Sequence, residues 1–168
     1  MPLSIAKFLV VDDHRLSRVI VVEALRAAGA SQIRQAEDGH AAMEMISDDA
    51  PDIAIVDFKM PHDGLSLLQQ IRRSTDSSDR TLPVIMLTAY TELHRIAALR
   101  DAGANEVMTK PMSVKSLFRR VSSVIDSPRP FVVSTNYAGP CRRRRFKSDY
   151  CGPLRRSSDC DLVDIKVS

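Results

Sequence analysis

Acidic, hydroxyl and ammonium side chains follow the apolar runs in the first two thirds of this sequence. Asp12 and Asp13 come directly after one apolar run, Asp57 ends a second, and Thr88 and Lys110 end two later ones. Taken singly, each has an ordinary role, because Asp and Thr cap helices and occupy turns and Lys is usually solvated. Three carboxylates in one pocket would repel one another. A hard divalent cation with oxygen ligands, such as Mg²⁺, would relieve that repulsion.

Such a group of side chains suits phosphoryl transfer. Asp12 and Asp13, with Asp57 beside them, are the candidate metal ligands, and Asp57 is also the candidate nucleophile of an aspartyl-phosphate intermediate. In phosphoryl transfer the protein mainly positions groups and neutralises charge. Lys110 would therefore pair with the phosphoryl oxygens, and the Thr88 hydroxyl would donate a hydrogen bond to one of them.

The elements that must position these residues can be predicted from the apolar pattern. Strands are predicted over residues 5–11, 32–36, 52–57, 82–87 and 106–109, and helices over residues 14–28, 38–47, 64–73, 92–102 and 114–125. This alternation indicates an α/β fold, a doubly wound, five-stranded parallel sheet with helices on both faces. Since the carboxyl ends of parallel strands open on one edge, the five side chains would meet there.

The first helix is expected to bury one stripe of small and apolar residues. At three- and four-residue spacing the stripe consists of Leu16, Val19, Ile20, Ala24 and Ala27.

Four motifs carry a resemblance to a known family. "VVDDH", "DIAIVDFKMP…DGL", "VIMLTAY" and "TKP" occur in order over residues 5–126, which resemble the receiver domain of two-component response regulators, as in stand-alone chemotaxis-type regulators. The resemblance implies phosphorylation of Asp57 by a histidine kinase or phosphotransfer protein, with Mg²⁺ required. It also implies a flavodoxin-like strand order 2-1-3-4-5 and a cis peptide bond between Lys110 and Pro111.

The sequence departs from the family pattern at two places. "MPHDG" has one residue, His62, where the family usually has two, so the loop after Asp57 should have a different shape. Val107 stands where the family often has a Tyr or Phe that turns inward on phosphorylation. The family positions that tune dephosphorylation are Lys59 and Tyr90.

The C-terminal quarter differs in composition from the rest of the chain. Residues 1–126 carry 15 Lys and Arg against 17 Asp and Glu, whereas residues 127–168 carry nine against four. The opening "SPRPF" is typical of a linker. We therefore divide the chain into a receiver domain over residues 1–126 and a basic tail over residues 127–168, expected to be disordered.

The tail repeats one pattern, Tyr-x-Gly-Pro-x-Arg-Arg, starting at Tyr137 and at Tyr150. Gly-Pro blocks helix formation, and the tail has too few apolar residues for a core of its own. The tail could bind an acidic protein surface, its own negatively charged receiver, anionic lipid or RNA. The repeated Tyr-Gly-Pro frame favours docking on a protein, whereas "RRRRFK" from Arg142 favours nucleic acid but has no DNA-binding motif beside it. The three cysteines are not spaced like the ligands of a metal site, so they are expected to be reduced. They are Cys141, Cys151 and Cys160.

Three functions remain open from the sequence. The first is a response regulator, not an enzyme, that signals by protein contact through the tail or through the surface of residues 92–125, which would also serve a homodimer. The second is a nucleic-acid binder that uses the arginine-rich tail under the control of the receiver. The third, an aspartyl-phosphate hydrolase, lacks a second aspartate because Lys59 occupies that position. No apolar run would span a membrane and no secretory signal is evident, so a cytoplasmic location is expected.

Overall fold

Five parallel strands form the central sheet. The computed structural model describes residues 2–60, 64–134, 137–141 and 162–163. The strands are β1 (Lys7–Val11), β2 (Gln32–Ala36), β3 (Ile53–Asp57), β4 (Val84–Thr88) and β5 (Glu106–Thr109). Their order in the sheet is β2-β1-β3-β4-β5. The predicted α/β fold and its strand order are thereby confirmed.

Helices follow the strands, as the alternation predicts. They are α1 (Arg15–Ala27), α2 (Gly39–Asp48), α3 (Gly64–Arg73), α4 (Ser77–Thr81), α5 (Leu93–Asp101) and α6 (Val114–Asp126). The short α4 was not predicted, because a single turn has no apolar periodicity. None of the helices described is both long and apolar enough to cross a lipid bilayer.

Two apolar cores lie on opposite faces of the sheet. One contains residues of α2, α3 and α5, including Ile46, Leu68 and Leu99. The other contains residues of α1 and α6, including Leu25 and Val121. Every residue of β3 and β4 is buried, as expected for central parallel strands covered on both faces. Asp57 and Thr88, at the ends of those strands, are therefore buried as well.

Of the stripe predicted for α1, Ala24 is buried as expected, but the large apolar members are not. Leu16 and Ile20 are 67% and 61% exposed, and Val19 is also exposed. The buried residues of α1 include Val22 and Leu25 instead. Apolar residues occur around most of this helix, so its sequence fits more than one stripe, and packing against the sheet selects the face that is buried.

The start of the C-terminal region is ordered, contrary to the expectation of a disordered tail. Strands β6 (Phe131–Ser134) and β7 (Tyr137–Pro140) pair in antiparallel fashion, and we call them the C-terminal hairpin. The two-residue strand β8 (Leu162–Val163) pairs with the other edge of β6. Phe131 and Val132 are buried, and the ring of Phe131 lies beside the guanidinium of Arg72 in α3. The repeat at Tyr150 and the arginine run lie outside the described residues.

Candidate functional site

The predicted site residues lie at the carboxyl edge of the sheet. Asp12 directly follows β1, Asp57 ends β3, Thr88 ends β4, and Lys110 directly follows β5. Asp12, Asp57 and Thr88 are only 1%, 5% and 2% exposed. Neighbouring strands in parallel register place these strand ends side by side, and Asp13 adds an exposed carboxylate on the same rim.

Lys110 joins two of the carboxylates. Its Nζ lies 2.8 Å from Asp12 Oδ2 and 2.7 Å from Asp57 Oδ1. Burial by itself lowers the pKa of Lys110, but hydrogen bonds and Coulombic attraction to Asp12 and Asp57 outweigh it and raise the pKa above its ordinary value. Lys110 therefore stays charged while it bridges the end of β1 to the end of β3.

Three carboxylates share this corner of the rim. One oxygen from each of Asp12, Asp13 and Asp57 lies within 4.8 Å of the other two. In both Asp12 and Asp57, the carboxylate oxygen that does not contact Lys110 accepts a hydrogen bond from a backbone amide. His14 N donates to Asp12 Oδ1 at 2.9 Å, and Lys59 N donates to Asp57 Oδ2 at 3.0 Å. One ammonium against three carboxylates leaves an excess of negative charge. An all-oxygen donor set of this kind fits a hard divalent cation.

Thr88 lies at the same edge but is engaged elsewhere. Its Oγ1 accepts a hydrogen bond from Tyr90 N at 3.0 Å, and in the part of the chain that is described no hydrogen bond joins it to Asp57. The Tyr90 ring meets Phe58 edge to face, with centroids 5.8 Å apart. The guanidinium of Arg95, from α5, lies 3.9 Å from the centroid of the Tyr90 ring. Thr88 is thus connected through Tyr90 to the first turn of α5.

Gly64 is a site residue that the sequence interpretation missed. A Cβ at Gly64 would stand 2.0 Å from the carbonyl oxygen of Asp57, and Gly64 N donates to Phe58 O at 3.1 Å. Only glycine lets α3 begin this close to the strand end. The glycine of "DGL" was the available signal. The prediction about the shortened loop falls on residues 61–63, which lie outside the described residues.

Two further predictions concern β5 and the peptide bond that follows Lys110. The Lys110–Pro111 peptide bond is cis, as the resemblance implied. Val107 is buried and packs in the core that contains α2, α3 and α5, so an aliphatic side chain fills the position where the family often has an aromatic ring.

The surface of residues 92–125, which the sequence suggests for docking, is partly engaged within the chain. Its basic residues are Arg95, Arg100, Lys115, Arg119 and Arg120. Arg95 stacks on Tyr90, and Arg120 pairs with Glu106 at 2.6 Å.

Comparisons with known proteins agree with this geometry. The chain is 34% identical over 125 residues to the response regulators MprA of Mycobacterium avium (strain 104) and Mycobacterium tuberculosis (strain ATCC 25618 / H37Rv). The match covers 74% of this chain and 53% and 52% of those relatives, so the chain spans about half the length of the curated relatives it matches.

Solved structures show the same fold. The chemotaxis protein CheY4 of Vibrio cholerae superposes with a TM-score of 0.65 at 28% identity, covering 71% of this chain and 98% of that one. The receiver domain of the Francisella response regulator 1452 gives a TM-score of 0.65 at 28% identity, covering 72% and 97%. The model of the response regulator receiver domain matches residues 8–122. With this match, and with the fold and the carboxylate rim already described, the chain belongs to the response regulator receiver domain family.

Proposed function

We propose that this chain is a phosphorylation-activated response regulator of a two-component or phosphorelay system. Asp57 accepts a phosphoryl group from a phosphohistidine on a histidine kinase or phosphotransfer protein, and the phosphorylated chain signals by contact with another protein. The observation that carries this proposal is the contact of a single ammonium, Lys110 Nζ, with both buried carboxylates, at 2.8 Å from Asp12 and 2.7 Å from Asp57.

The chemistry uses Asp57 as the nucleophile. A carboxylate oxygen of Asp57 forms a bond to phosphorus while the bond between phosphorus and the imidazole nitrogen of the donor breaks. The leaving imidazole keeps the electron pair, and the product is an acyl phosphate on Asp57. Lys110 already contacts Asp57 Oδ1, so it lies where negative charge accumulates on the phosphoryl oxygens. Lys59 N holds the other oxygen of Asp57 and orients the carboxylate.

Mg²⁺ is the cofactor that this donor set suits. Asp12, Asp13 and Asp57 are the residues that would hold it, since their oxygens cluster and their charge exceeds that of Lys110. A bound Mg²⁺ supplies charge neutralisation for the phosphoryl oxygens. The hydrogen bond from His14 N to Asp12 Oδ1 fixes the buried ligand before any metal arrives.

Thr88 is the residue that would sense the phosphoryl group. Its oxygen accepts from Tyr90 N, which leaves the hydroxyl hydrogen available to be donated to a phosphoryl oxygen. Phosphorylation adds roughly two negative charges at the rim, enough to attract such a donor. Movement of Thr88 would shift Tyr90 and, through the stacked Arg95, the first turn of α5. The surface of α5, β5 and α6 then differs between the two states.

The exposed apolar face of α1 is the docking surface we propose for the phosphodonor. A phosphohistidine must approach Asp57 from the rim, and α1 begins there, two residues after Asp13. Leu16, Val19 and Ile20 are exposed on this helix and have no role in the apolar core. Exposed apolar residues grouped beside a reaction site are typical of protein docking surfaces.

The other functions considered are supported less well. A hydrolase would need a second acid two residues after Asp57, where Lys59 is exposed to solvent, so we propose a signalling protein rather than a turnover enzyme. Binding of nucleic acid would rest on the arginine run, which no DNA-binding motif accompanies. The cytoplasm, where we expect the chain to act, remains a prediction from the sequence.

Acetyl phosphate tests the proposal without a kinase. The full chain is incubated with acetyl phosphate and Mg²⁺, its intact mass is measured, and the acyl phosphate is located by borohydride reduction and peptide mapping. We expect one phosphoryl group, on Asp57, that forms only when Mg²⁺ is present. Folding is checked by circular dichroism in the same samples.

Two variants make the result specific. Asp57→Asn should show no label, whereas Asp126→Asn, which changes an exposed carboxylate at the far end of α6, should be labelled like the unmodified chain. Labelling of Asp57→Asn at the same rate, or absence of any label on a folded chain in the presence of Mg²⁺, would refute the proposal.

A further inference from the structure

We infer that the first Tyr-x-Gly-Pro repeat is a clamp on the C-terminal end of α5. The repeat forms β7 of the C-terminal hairpin, which the receiver fold does not require and which lies against the turn that ends α5. Close backbone packing, a buried arginine and a loop contact hold the two together. The clamp would determine which end of α5 can move.

The first contact is between two glycines. Gly103, directly after α5, has a φ of +99°, and a Cβ there would stand 2.4 Å from the carbonyl oxygen of Ala138. A Cβ at Gly139 would stand 2.6 Å from Gly103 Cα and 2.7 Å from the Tyr137 hydroxyl oxygen. Any larger residue at position 139 would push β7 away from the end of α5.

The second contact is made by Arg72, a residue of α3 that is only 5% exposed. Its Nε donates to Gly103 O at 3.0 Å, and its Nη2 donates to Asn105 Oδ1 at 2.9 Å. The same guanidinium lies 5.4 Å from the centroid of the Phe131 ring in β6. One buried side chain therefore contacts both the turn after α5 and the hairpin.

The third contact comes from the segment that leads into the hairpin. Arg129 donates to the carbonyl oxygen of Asn105 and to Cys141 O, the latter at 3.4 Å. Cys141 N in turn donates to Pro130 O at 2.7 Å, which closes the base of the hairpin. The hairpin is thus tied to the start of β5 as well as to the end of α5.

The opposite end of α5 is held mainly by the stacking of Arg95 on Tyr90 and by the partly buried Ile96. The residue that precedes it, Glu92, makes no side-chain capping bond, and Leu93 is 84% exposed. Leu99, near the C-terminal end, is the buried residue of this helix. A shift transmitted from Thr88 would therefore swing the N-terminal end of α5 about a fixed C-terminal end.

The clamp also explains the composition of the repeat. The Tyr137 hydroxyl donates to Pro140 O at 2.7 Å, so the first and last residues of Tyr-x-Gly-Pro bond to each other along β7. Position 139 needs a glycine, because a Cβ there would collide with Gly103 Cα. The tyrosine and the glycine of the repeat therefore each have a structural role here.

Hydrogen exchange of the full chain without phosphate tests the clamp directly. The amides of Gly103 and Ala104 bond to Arg100 O and Leu99 O, and they report opening of the turn. Gly139→Val should speed their exchange about tenfold or more while amides of α1 are unchanged. Tyr137→Phe, which removes the hydroxyl that donates to Pro140 O, should produce a smaller increase at the same amides.

Gly152→Val is the matched control, because it makes the same substitution in the second repeat. It should leave the exchange of Gly103 and Ala104 unchanged. The clamp is refuted if Gly152→Val has the same effect as Gly139→Val, or if both Gly139→Val and Tyr137→Phe leave these amides unaffected. Should Gly139→Val unfold the chain, which accelerated exchange throughout α1 would reveal, Tyr137→Phe decides the matter.

The consequence for α5 rests on the proposed function and is tested in a second experiment. With Mg²⁺ and beryllium trifluoride, a phosphoryl mimic, exchange in the unmodified chain should change at Leu93–Ala97 and stay constant at Gly103 and Ala104. Equal changes at both ends would refute the fixed pivot. Absence of any protection near Asp57 would count against the proposed function instead, while the phosphate-free comparison still decides the clamp.

Discussion

Two cationic side chains have opposite surroundings at opposite edges of the sheet. Lys110, at the carboxyl edge, contacts the carboxylates of Asp12 and Asp57. Arg72, at the other edge, is nearly fully buried and donates to uncharged acceptors, including Leu82 O at 2.8 Å. The pairing of Lys110 with acids suits reaction with a charged group, whereas the contacts of Arg72 connect segments of backbone.

The cost of burying Arg72 shows in its pKa. Burial lowers the pKa of Arg72 to about 10, and the nearby Tyr137 opposes this in part. A charge held under such conditions must be offset by hydrogen bonds, which the planar guanidinium supplies in several directions at once. An ammonium at the end of a lysine side chain cannot reach the same acceptors.

We therefore predict that Arg72→Lys destabilises the chain. The free energy of unfolding should fall by about 3 kcal/mol, because several buried acceptors lose their donors together. Arg73→Lys, at the exposed neighbouring position, should change it by less than about 0.5 kcal/mol. Urea unfolding followed by circular dichroism measures both. Equal midpoints for the two variants would contradict the role of Arg72.

At the scale of elements, α1 and the hairpin differ in whether their apolar side chains are exposed or buried. The outer face of α1 keeps three large apolar residues in water beside the rim. The hairpin does the reverse, since its apolar residues Phe131 and Val132 are buried, with Phe131 beside Arg72. One element leaves a surface open at the reaction edge, and the other closes the edge away from it.

Docking on α1 leads to a prediction about Ile20→Glu. Transfer from a phosphorylated histidine kinase that labels the unmodified chain should slow by about tenfold, because a charge would be desolvated in the interface. Labelling by acetyl phosphate should stay within about twofold, since a small donor needs no docking surface. Ala27→Glu, exposed in the last turn of α1, is the control and should leave both rates unchanged. Loss of both activities in Ile20→Glu would contradict a docking role.

At the scale of the whole molecule, the carboxylate rim and the hairpin lie at opposite edges of one sheet. They are connected through β4, β5 and α5, because Thr88 ends β4 while Gly103 joins α5 to the start of β5. A ligand that binds only the folded site must stabilise the entire cooperative unit, including the hairpin.

We predict that Mg²⁺ with beryllium trifluoride raises the melting temperature of the full chain. At a ligand concentration about 100 times the Kd, the gain in free energy of unfolding would be about 2.7 kcal/mol. Asp57→Asn should lose this gain, while Arg73→Lys should keep it. Scanning calorimetry measures the shift. An equal increase for Asp57→Asn would show that the ligand binds elsewhere.

The parallel sheet and the residues at its strand ends were predictable from the chain, whereas the order of the strands was implied by the resemblance to the receiver family. Apolar runs such as Ile53–Val56 that alternate with helical segments indicate parallel strands, and the carboxyl ends of parallel strands must share an edge. For that reason Asp12, Asp57, Thr88 and Lys110 could be grouped before any coordinates were known. The glycine of "DGL" was visible too, but its contact with the carbonyl of Asp57 was not.

Packing choices depended on the folded molecule. The apolar residues of α1 fit several stripes, and only the position of the sheet decides that Leu25 is buried while Ile20 is exposed. The hairpin could not be predicted because it has no core of its own. Phe131 is buried beside Arg72, and β7 packs on the turn at Gly103, both of which belong to distant parts of the chain. Local sequence determines periodicity and chemistry, whereas burial against a distant segment depends on the whole fold.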